Sequence, residues 1–224
     1  MSPQEFLHIF NGYFDQNSKI LDIGCGDCSN YQSYFVNNSL EYIGVDVSDK
    51  ALKRAQSKGY KVIKLDLSDD LPFMDNYFDL VICLEVLEHL FDPKEVVLEI
   101  DRVLKDYGHF ILSVPNIGYF RDRLVFLFKA FINNSPFDEN NPWAGAHVRF
   151  FSKRSLMKLL RSAGFKKIKI ISSMNASIFD FFDVIYPEIS KPFRRLPGFL
   201  RLSFLSRIWP SMFSDHLIVV ARKV

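Results

Sequence analysis

Residues 21–30 read LDIGCGDCSN, and the fold turns on how that decapeptide is read. Cys25 and Cys28 have the C-x-x-C spacing of a redox pair or of half a zinc site. Gly24 and Gly26 overlap them as a G-x-G, the turn that lets a backbone approach a nucleotide. A zinc site needs two further ligands, yet the third cysteine, Cys83, sits inside the apolar run FDLVICL and no second C-x-x-C exists. A redox cysteine opens a helix after a strand, whereas Cys25 is hemmed between two glycines. The cysteines therefore read as small fillers in a tight loop.

Working outward, residues 19–23 form a short apolar run ahead of the loop, and 29–36 a helical stretch behind it. Residues 40–45 (LEYIGV) read as a second strand ending at Asp46. Ser48 is a good N-cap for a helix over 49–58, with Gly59 at its stop. Residues 60–65 make a third strand ending at Asp66, 78–84 a fourth, 93–105 a helix, and 108–114 a fifth strand closed by Pro115-Asn116. Short strands apolar on both faces, alternating with helices, predict an α/β fold with a mostly parallel sheet covered on both sides. Right-handed crossovers place every strand's C-terminal end on one edge, where such sheets bind ligands. Asp22 to Gly26, Asp46, Asp66 and Leu84–Glu85 all fall there, which marks that edge as a binding site.

After Pro115 the rhythm breaks. Residues 118–132 are Phe/Leu-rich and helical, 133–143 are polar and turn-rich, and a helix returns over 152–163, stopped by Gly164. Residues 166–172 alternate charge and apolarity as a strand, and 216–221 (HLIVVA) form the last one. A chain of 224 residues, 48% apolar, is read as one domain over 1–224, with insertions over 117–150 and 176–214. A net charge of +2 lacks the basic excess of a dedicated nucleic-acid binder. Three cysteines fit a reducing compartment and no disulfide framework. The N-terminus has no signal-peptide pattern, and no uncharged apolar run reaches the roughly 18–20 residues that span a bilayer. Cytoplasmic localisation is the expectation. Twenty-three phenylalanines, crowded after residue 110, suit an aromatic core or a greasy surface.

The glycine loop lacks the third glycine of the dinucleotide fingerprint, Ser29 standing in its place. Asp22 precedes the first glycine by two residues, and Asp46 follows Gly26 by 20, at the end of the next strand. An acid there can accept hydrogen bonds from both ribose hydroxyls. With these residues in place, the stretch ILDIGCGDC…YIGVDVS…VIKLDLSDDLPFMDNYFDLVICLEVLEHLFDP resembles the motifs of class I S-adenosylmethionine-dependent methyltransferases. The likeness is greatest to the subgroup of ubiquinone-biosynthesis O-methyltransferases and sugar or natural-product methyltransferases. It covers about residues 19–114 and, more loosely, 145–165 and the final strand. It implies a Rossmann-like seven-stranded sheet with an antiparallel last strand, and residues 1–116 as the cofactor-binding half. It implies S-adenosyl-L-methionine as cofactor, with Asp22, Gly24 and Gly26 along its methionine part and Asp46 on the ribose. Val47 would pack on the adenine, Asp66 and the Leu67 amide would meet its edge, and Leu84 and Glu85 would close over the methionine carboxyl side. Cys28 stands where the family usually has another glycine.

Methyl transfer from a sulfonium is an in-line displacement, so the protein chiefly holds acceptor and methyl at attack distance. A hydroxyl acceptor also needs a base, and His89 and His147 are the candidates. Glu85, Glu88 and His89 share one face if their segment is helical; in the enzymes it resembles, matching positions are associated with a divalent metal, while other relatives with the same pattern have none, and no metal ligand is assigned. His147, in GAHVRFF after the first insertion, is the better placed for the acceptor, with Asn116 and Tyr119 as pocket-lining candidates. Residues 191–210 hold five basic residues and no acid beside an aromatic face. That suits peripheral membrane contact, packing on the domain itself, or a second copy in a homodimer. The expected acceptor is a small, glycan- or lipid-linked molecule, methylated on oxygen. The alternatives are a catalytically idle partner protein of the same fold and an NAD-binding Rossmann protein.

Overall fold

The structure, a computed structural model, describes residues 11–37, 40–120, 147–172 and 214–224, together with 123, 127 and 212. Much of 117–150 and 176–214, including the stretch 191–210, lies outside the described residues. Strand β1 (Lys19–Ile23) leads through α1 (Gln32–Asn37) to β2 (Glu41–Asp46), then through α2 (Asp49–Ser57) to β3 (Val62–Lys64). Strand β4 (Phe78–Leu84) is followed by a short 3-10 turn, Leu87–His89, by α3 (Pro93–Val103) and by β5 (Leu104–Pro115). After the undescribed stretch come α4 (Lys153–Ser162), β6 (Lys167–Ser172) and β7 (His216–Arg222).

The seven strands form one sheet in the order β3-β2-β1-β4-β5-β7-β6. All pairings are parallel except those of β7, which runs antiparallel to both β5 and β6. The expected α/β architecture with an antiparallel last strand is what forms. The winding reverses between β1 and β4, so the loops after those two strands open a crevice at the carboxyl edge of the sheet.

Successive residues of a strand point to opposite faces, and each face has its own core. Leu21, Ile23, Val81, Cys83, Phe110 and Leu112 pack with Val97 and Ile100 of α3 and with Leu156 and Leu160 of α4. Ile20, Tyr42, Leu80, Ile82 and Ile111 pack with Phe35 of α1 and with Leu52 and Ala55 of α2. Helix ends follow local chemistry. Ser48 caps α2, Asp92 caps α3 ahead of Pro93, and Ser152 with Ser155 forms a capping box on α4.

The boundary between α3 and β5 differs from the sequence reading. The helix ends at Val103 rather than 105, and Leu104 already pairs with Phe78. Tyr107 at φ +66° and Gly108 then make an irregularity, after which His109 pairs with Leu80. A Cβ on Gly108 would lie 2.8 Å from the Lys105 carbonyl oxygen, so only glycine fits the kink. Burial of Leu104 in the sheet overrides the helical periodicity of the residues before it.

Candidate active site

The glycine loop leaves β1 with the Gly24 and Cys25 amides both donating to the Val45 carbonyl of β2, at 2.8 and 3.1 Å. Gly24 has φ +74°, and a Cβ there would fall 2.3 Å from Val86 Cγ2. The first glycine is therefore required by the turn after β4. Gly26, at φ +57°, has open space where a Cβ would stand, and its amide donates to Asp46 Oδ2 at 2.9 Å. Asp46 Oδ1 accepts from the Ser48 amide at 2.8 Å. A carboxylate has about four lone-pair sites, so Asp46 keeps acceptor capacity on the half-exposed side beside the open face of Gly26. That pairing of a ready acceptor with an unfilled cradle fits the ribose end of a nucleoside cofactor.

Both cysteines face inward. Cys25 fills the gap that Gly44 leaves in β2, where a Cβ would lie 2.6 Å from its Sγ. Cys28 takes a left-handed backbone, φ +53°, the conformation a glycine would supply. Its thiol is turned into the core, 3.5 Å from the Tyr42 hydroxyl. The Cys28 departure from the family's glycine is thus absorbed away from the cofactor face. The neighbouring Cys28 sulfur and burial push the Cys25 thiol well above the usual range.

Asp22 requires a correction. It is fully buried, so it presents no surface to a cofactor. The Tyr31 and Tyr42 hydroxyls donate to its carboxylate at 2.9 and 2.7 Å, and Gln32 Nε2 donates at 3.1 Å. Asp22 fastens α1 and β2 beneath the loop. Burial pushes its pKa up to about 6 against the pull of these three donors.

Val47 is 61% exposed at the rim, where an adenine could lie on it. Asp66 accepts from the Ser68 amide and hydroxyl, at 3.0 and 2.8 Å, and the amide bond holds its carboxyl below the usual range. Leu67 and Leu84 are half-buried. Asn116, a candidate pocket residue, is 1% exposed and ties the end of β5 to the Ser214 carbonyl; Tyr119 is 5% exposed. Neither has surface left to line a pocket.

The segment after β4 holds the second correction. Glu85, Glu88 and His89 do not share a helical face, because only Leu87–His89 makes a turn and Glu85 precedes it at φ +53°. Glu85 instead accepts a short hydrogen bond from Ser113 Oγ, and its Oε2 lies 3.3 Å from His216 Nε2. Burial raises the Glu85 pKa, but His216 and Ser113 outweigh it and hold the carboxyl below its ordinary value. His216 is raised to about 10 by Asp215 and by Glu85, so it is a cation at neutral pH. The sequence reading took His216 only as the start of a strand.

Glu88 gathers both histidines. Its side chain is 1% exposed, and neither carboxylate oxygen has a hydrogen-bond partner among the described residues. His89 Nε2 stands 3.9 Å from Oε1, and the His89 and His147 rings are 5.0 Å apart, edge to face. The Glu88 carbonyl accepts from the Val148 and Arg149 amides, both at 2.9 Å, which clamps the His147 segment onto the turn. Burial, and then the charge of Glu85, push the Glu88 carboxyl up to about 8. Burial and the neighbouring His89 lower His147, which favours a neutral imidazole at pH 7. One ligand atom from each of Glu88, His89 and His147 lies within 4.8 Å of the others, a spacing that could hold a cation.

A doubly wound sheet with a glycine loop at its switch point and an acid closing the next strand defines the class: a Rossmann-like domain built for a nucleoside cofactor. A family model described as a methyltransferase domain matches residues 21–112. Demethylmenaquinone methyltransferase of Staphylococcus carnosus is 33% identical over 172 residues, 70% of this chain and 71% of that protein. Ubiquinone biosynthesis O-methyltransferase of Nitrosomonas europaea is 32% identical over 106 residues, 43% of each. A solved S-adenosylmethionine-dependent methyltransferase of Thermotoga maritima shares the fold, with a TM-score of 0.65 over 100% of this chain and 90% of that one at 19% identity. The chain belongs to the class I S-adenosylmethionine-dependent methyltransferase family, whose cofactor is S-adenosyl-L-methionine. It spans 57%, 40% and 37% of the length of the first three curated relatives it matches. Among the described residues no helix is long and apolar enough to cross a membrane.

Proposed function

We propose that the chain transfers a methyl group to an oxygen of a small, glycan- or lipid-linked acceptor. The bound S-adenosyl-L-methionine supplies the methyl as a sulfonium. Asp46 accepts the ribose hydroxyls, and the open face of Gly26 lets the backbone approach the cofactor. His147, neutral at pH 7, takes the proton of the acceptor hydroxyl. Glu88, its carboxyl pushed up to about 8 and so mostly protonated at pH 7, lies beneath His89 and His147, where it positions the rings and supplies little counter-charge.

The observation that carries this reading is the convergence of His89, His147 and the buried Glu88 on the sheet edge that also bears Asp46 and the glycine loop. Calorimetry with S-adenosylhomocysteine, paired with a methyl-release assay over a panel of hydroxylated acceptors, tests it. Asp46→Ala is expected to abolish cofactor binding. His147→Ala is expected to keep that binding while turnover falls by roughly 100-fold or more. No binding by the wild-type chain would remove the cofactor reading. A loss of binding in His147→Ala as large as its loss of turnover would reduce His147 to a loop residue.

A further inference from the structure

Some surface cations of this protein find acids. Lys64 pairs with Asp49 at 2.6 Å, Arg102 with Asp75 and Glu99 at 2.7 Å, Lys105 with Asp79 at 2.8 Å, and Lys58 with Asp27 at 3.4 Å. The outer side of α4 instead gathers cations with no acid among them. An open groove of about 930 Å³ runs along it, and five of its nine described lining residues are cations: Arg123, Lys153, Arg154, Lys158 and Arg161. None of the nine is acidic, and none of the five cations makes an ion pair among the described residues.

This arrangement is costly without a counter-charge. Arg154, Lys158 and Arg161 stand at i, i+4 and i+7, on one face of the helix, and like charges so spaced destabilise it by roughly 0.2–0.5 kcal/mol per pair. Lys153 and Arg154 occupy the first turn, which contains no acid and where the helix dipole disfavours positive charge. The amides of that turn are served by the Ser152–Ser155 capping box, so the groove's binding capacity lies in its side chains. A multiply charged anion resting among the guanidinium and ammonium groups removes both penalties at once.

The groove adjoins the acceptor side of the site. Gly118 and Arg123 follow β5, and Phe151 bridges to Asn116 at that strand's end. From Ser152 back to His147 is five residues of chain, a span of at most ~18 Å. We infer that the α4 groove binds the phosphate or diphosphate group of a phosphorylated acceptor, holding it while a hydroxyl elsewhere on the same molecule reaches His147. This rests on the methyltransferase reading for the acceptor's role; the groove's capacity to bind phosphate does not.

The test is calorimetry of the full chain with inorganic pyrophosphate, run in parallel with S-adenosylhomocysteine. The wild type is expected to bind both. Arg154→Glu combined with Arg161→Glu is expected to weaken pyrophosphate by roughly tenfold or more and to leave the cofactor product unaffected. Lys53→Glu on α2, which makes half that charge change away from the groove, is expected to alter neither. Sedimentation with phosphatidylcholine vesicles, with and without phosphatidic acid, separates the sources. Pyrophosphate binding accompanied by groove-dependent sedimentation assigns the phosphate to a lipid headgroup; binding without sedimentation assigns it to a soluble ester. No pyrophosphate binding, or a loss in the double variant no greater than in Lys53→Glu, overturns the inference. Failure of S-adenosylhomocysteine alone to bind would overturn the methyltransferase reading and leave phosphate binding by the groove standing.

Discussion

Asp22 shows how burial changes the work of one carboxylate. In the sequence it stands two residues before a glycine loop and reads as part of a ligand site; in the fold it has no exposed surface and serves three donors. The difference was not legible locally, because Tyr31, Gln32 and Tyr42 close over it only once α1 and β2 pack on β1. Burial raises its pKa to about 6, above the 3.8 of an unfolded chain. The native state thus holds this proton to higher pH than the unfolded state, so the stability linked to it is present below pH 3.8 and is lost as pH rises through 6. Asp22→Asn removes the titration while keeping one acceptor oxygen. Relative to that variant, the wild type is expected to gain on the order of 2–3 kcal/mol in unfolding free energy as pH falls from 7 to 4. Denaturant melts at each pH measure it; a difference that stays flat, or that grows with pH, would contradict the assignment. Asp46, by contrast, was legible from spacing alone, because its contacts to Gly26 and Ser48 are set by the ends of adjacent parallel strands.

At the scale of elements, α3 is anchored through a single guanidinium. Arg102 donates to both Glu99 oxygens, to Asp75, and to the carbonyls of Leu71 and Phe73, at 2.7 to 2.9 Å. One planar fork thereby fixes the last turn of the helix and the loop entering β4. Lysine has the charge but not the fork. Arg102→Lys is expected to cost about 1–2 kcal/mol, at the low end for charged hydrogen bonds because Arg102 remains partly exposed. A thermal melt unchanged from wild type would show that the fork contributes nothing. The helices were legible at their starts: Ser48 reads as a cap, and the starts predicted at 93 and 152 lie at, or one residue before, the observed Pro93 and Lys153. Their ends were less so, as α3 shows, because the sheet claims Leu104 before the helical pattern runs out. The turn after β4 was the least legible. A Glu-x-x-Glu-His run suggests helix, but Glu85 is drawn off by Ser113, 28 residues away, and by His216, which is farther still along the chain.

Over the whole molecule, the last strand is the piece that makes the sheet one body. β7 lies between β5 and β6, paired to seven residues of the first and six of the second. Leu217, Val219 and Ala221 enter the core shared with α3 and α4, and Val220 enters the core on the other face. Beyond it, Lys223 Nζ donates to the Asp101 and Leu104 carbonyls, joining the strand's exit to the end of α3. The strand's apolar run announced its existence in the sequence; its neighbours are set by pairings far apart along the chain, such as His109 with Arg222 and Lys167 with Arg222, and came instead with the family resemblance. Burying a Val, Leu or Ile side chain contributes roughly 1.5–3 kcal/mol, and the four in β7, Leu217, Ile218, Val219 and Val220, amount to about 6–12 kcal/mol, comparable to the roughly 5–15 kcal/mol that holds a typical domain together. Removing residues 214–224 would also strip β5 and β6 of a partner each and leave His216 absent from Glu85, the ion pair beside the acceptor edge. The shortened chain is therefore expected to lose cooperative thermal unfolding by circular dichroism and to lose binding of S-adenosylhomocysteine. The full-length single variant Val219→Ala should keep both, melting lower by the roughly 1–3 kcal/mol of a buried truncation. A sigmoidal melt of the shortened chain at the wild-type midpoint would show that β1 to β5 fold as a unit without it.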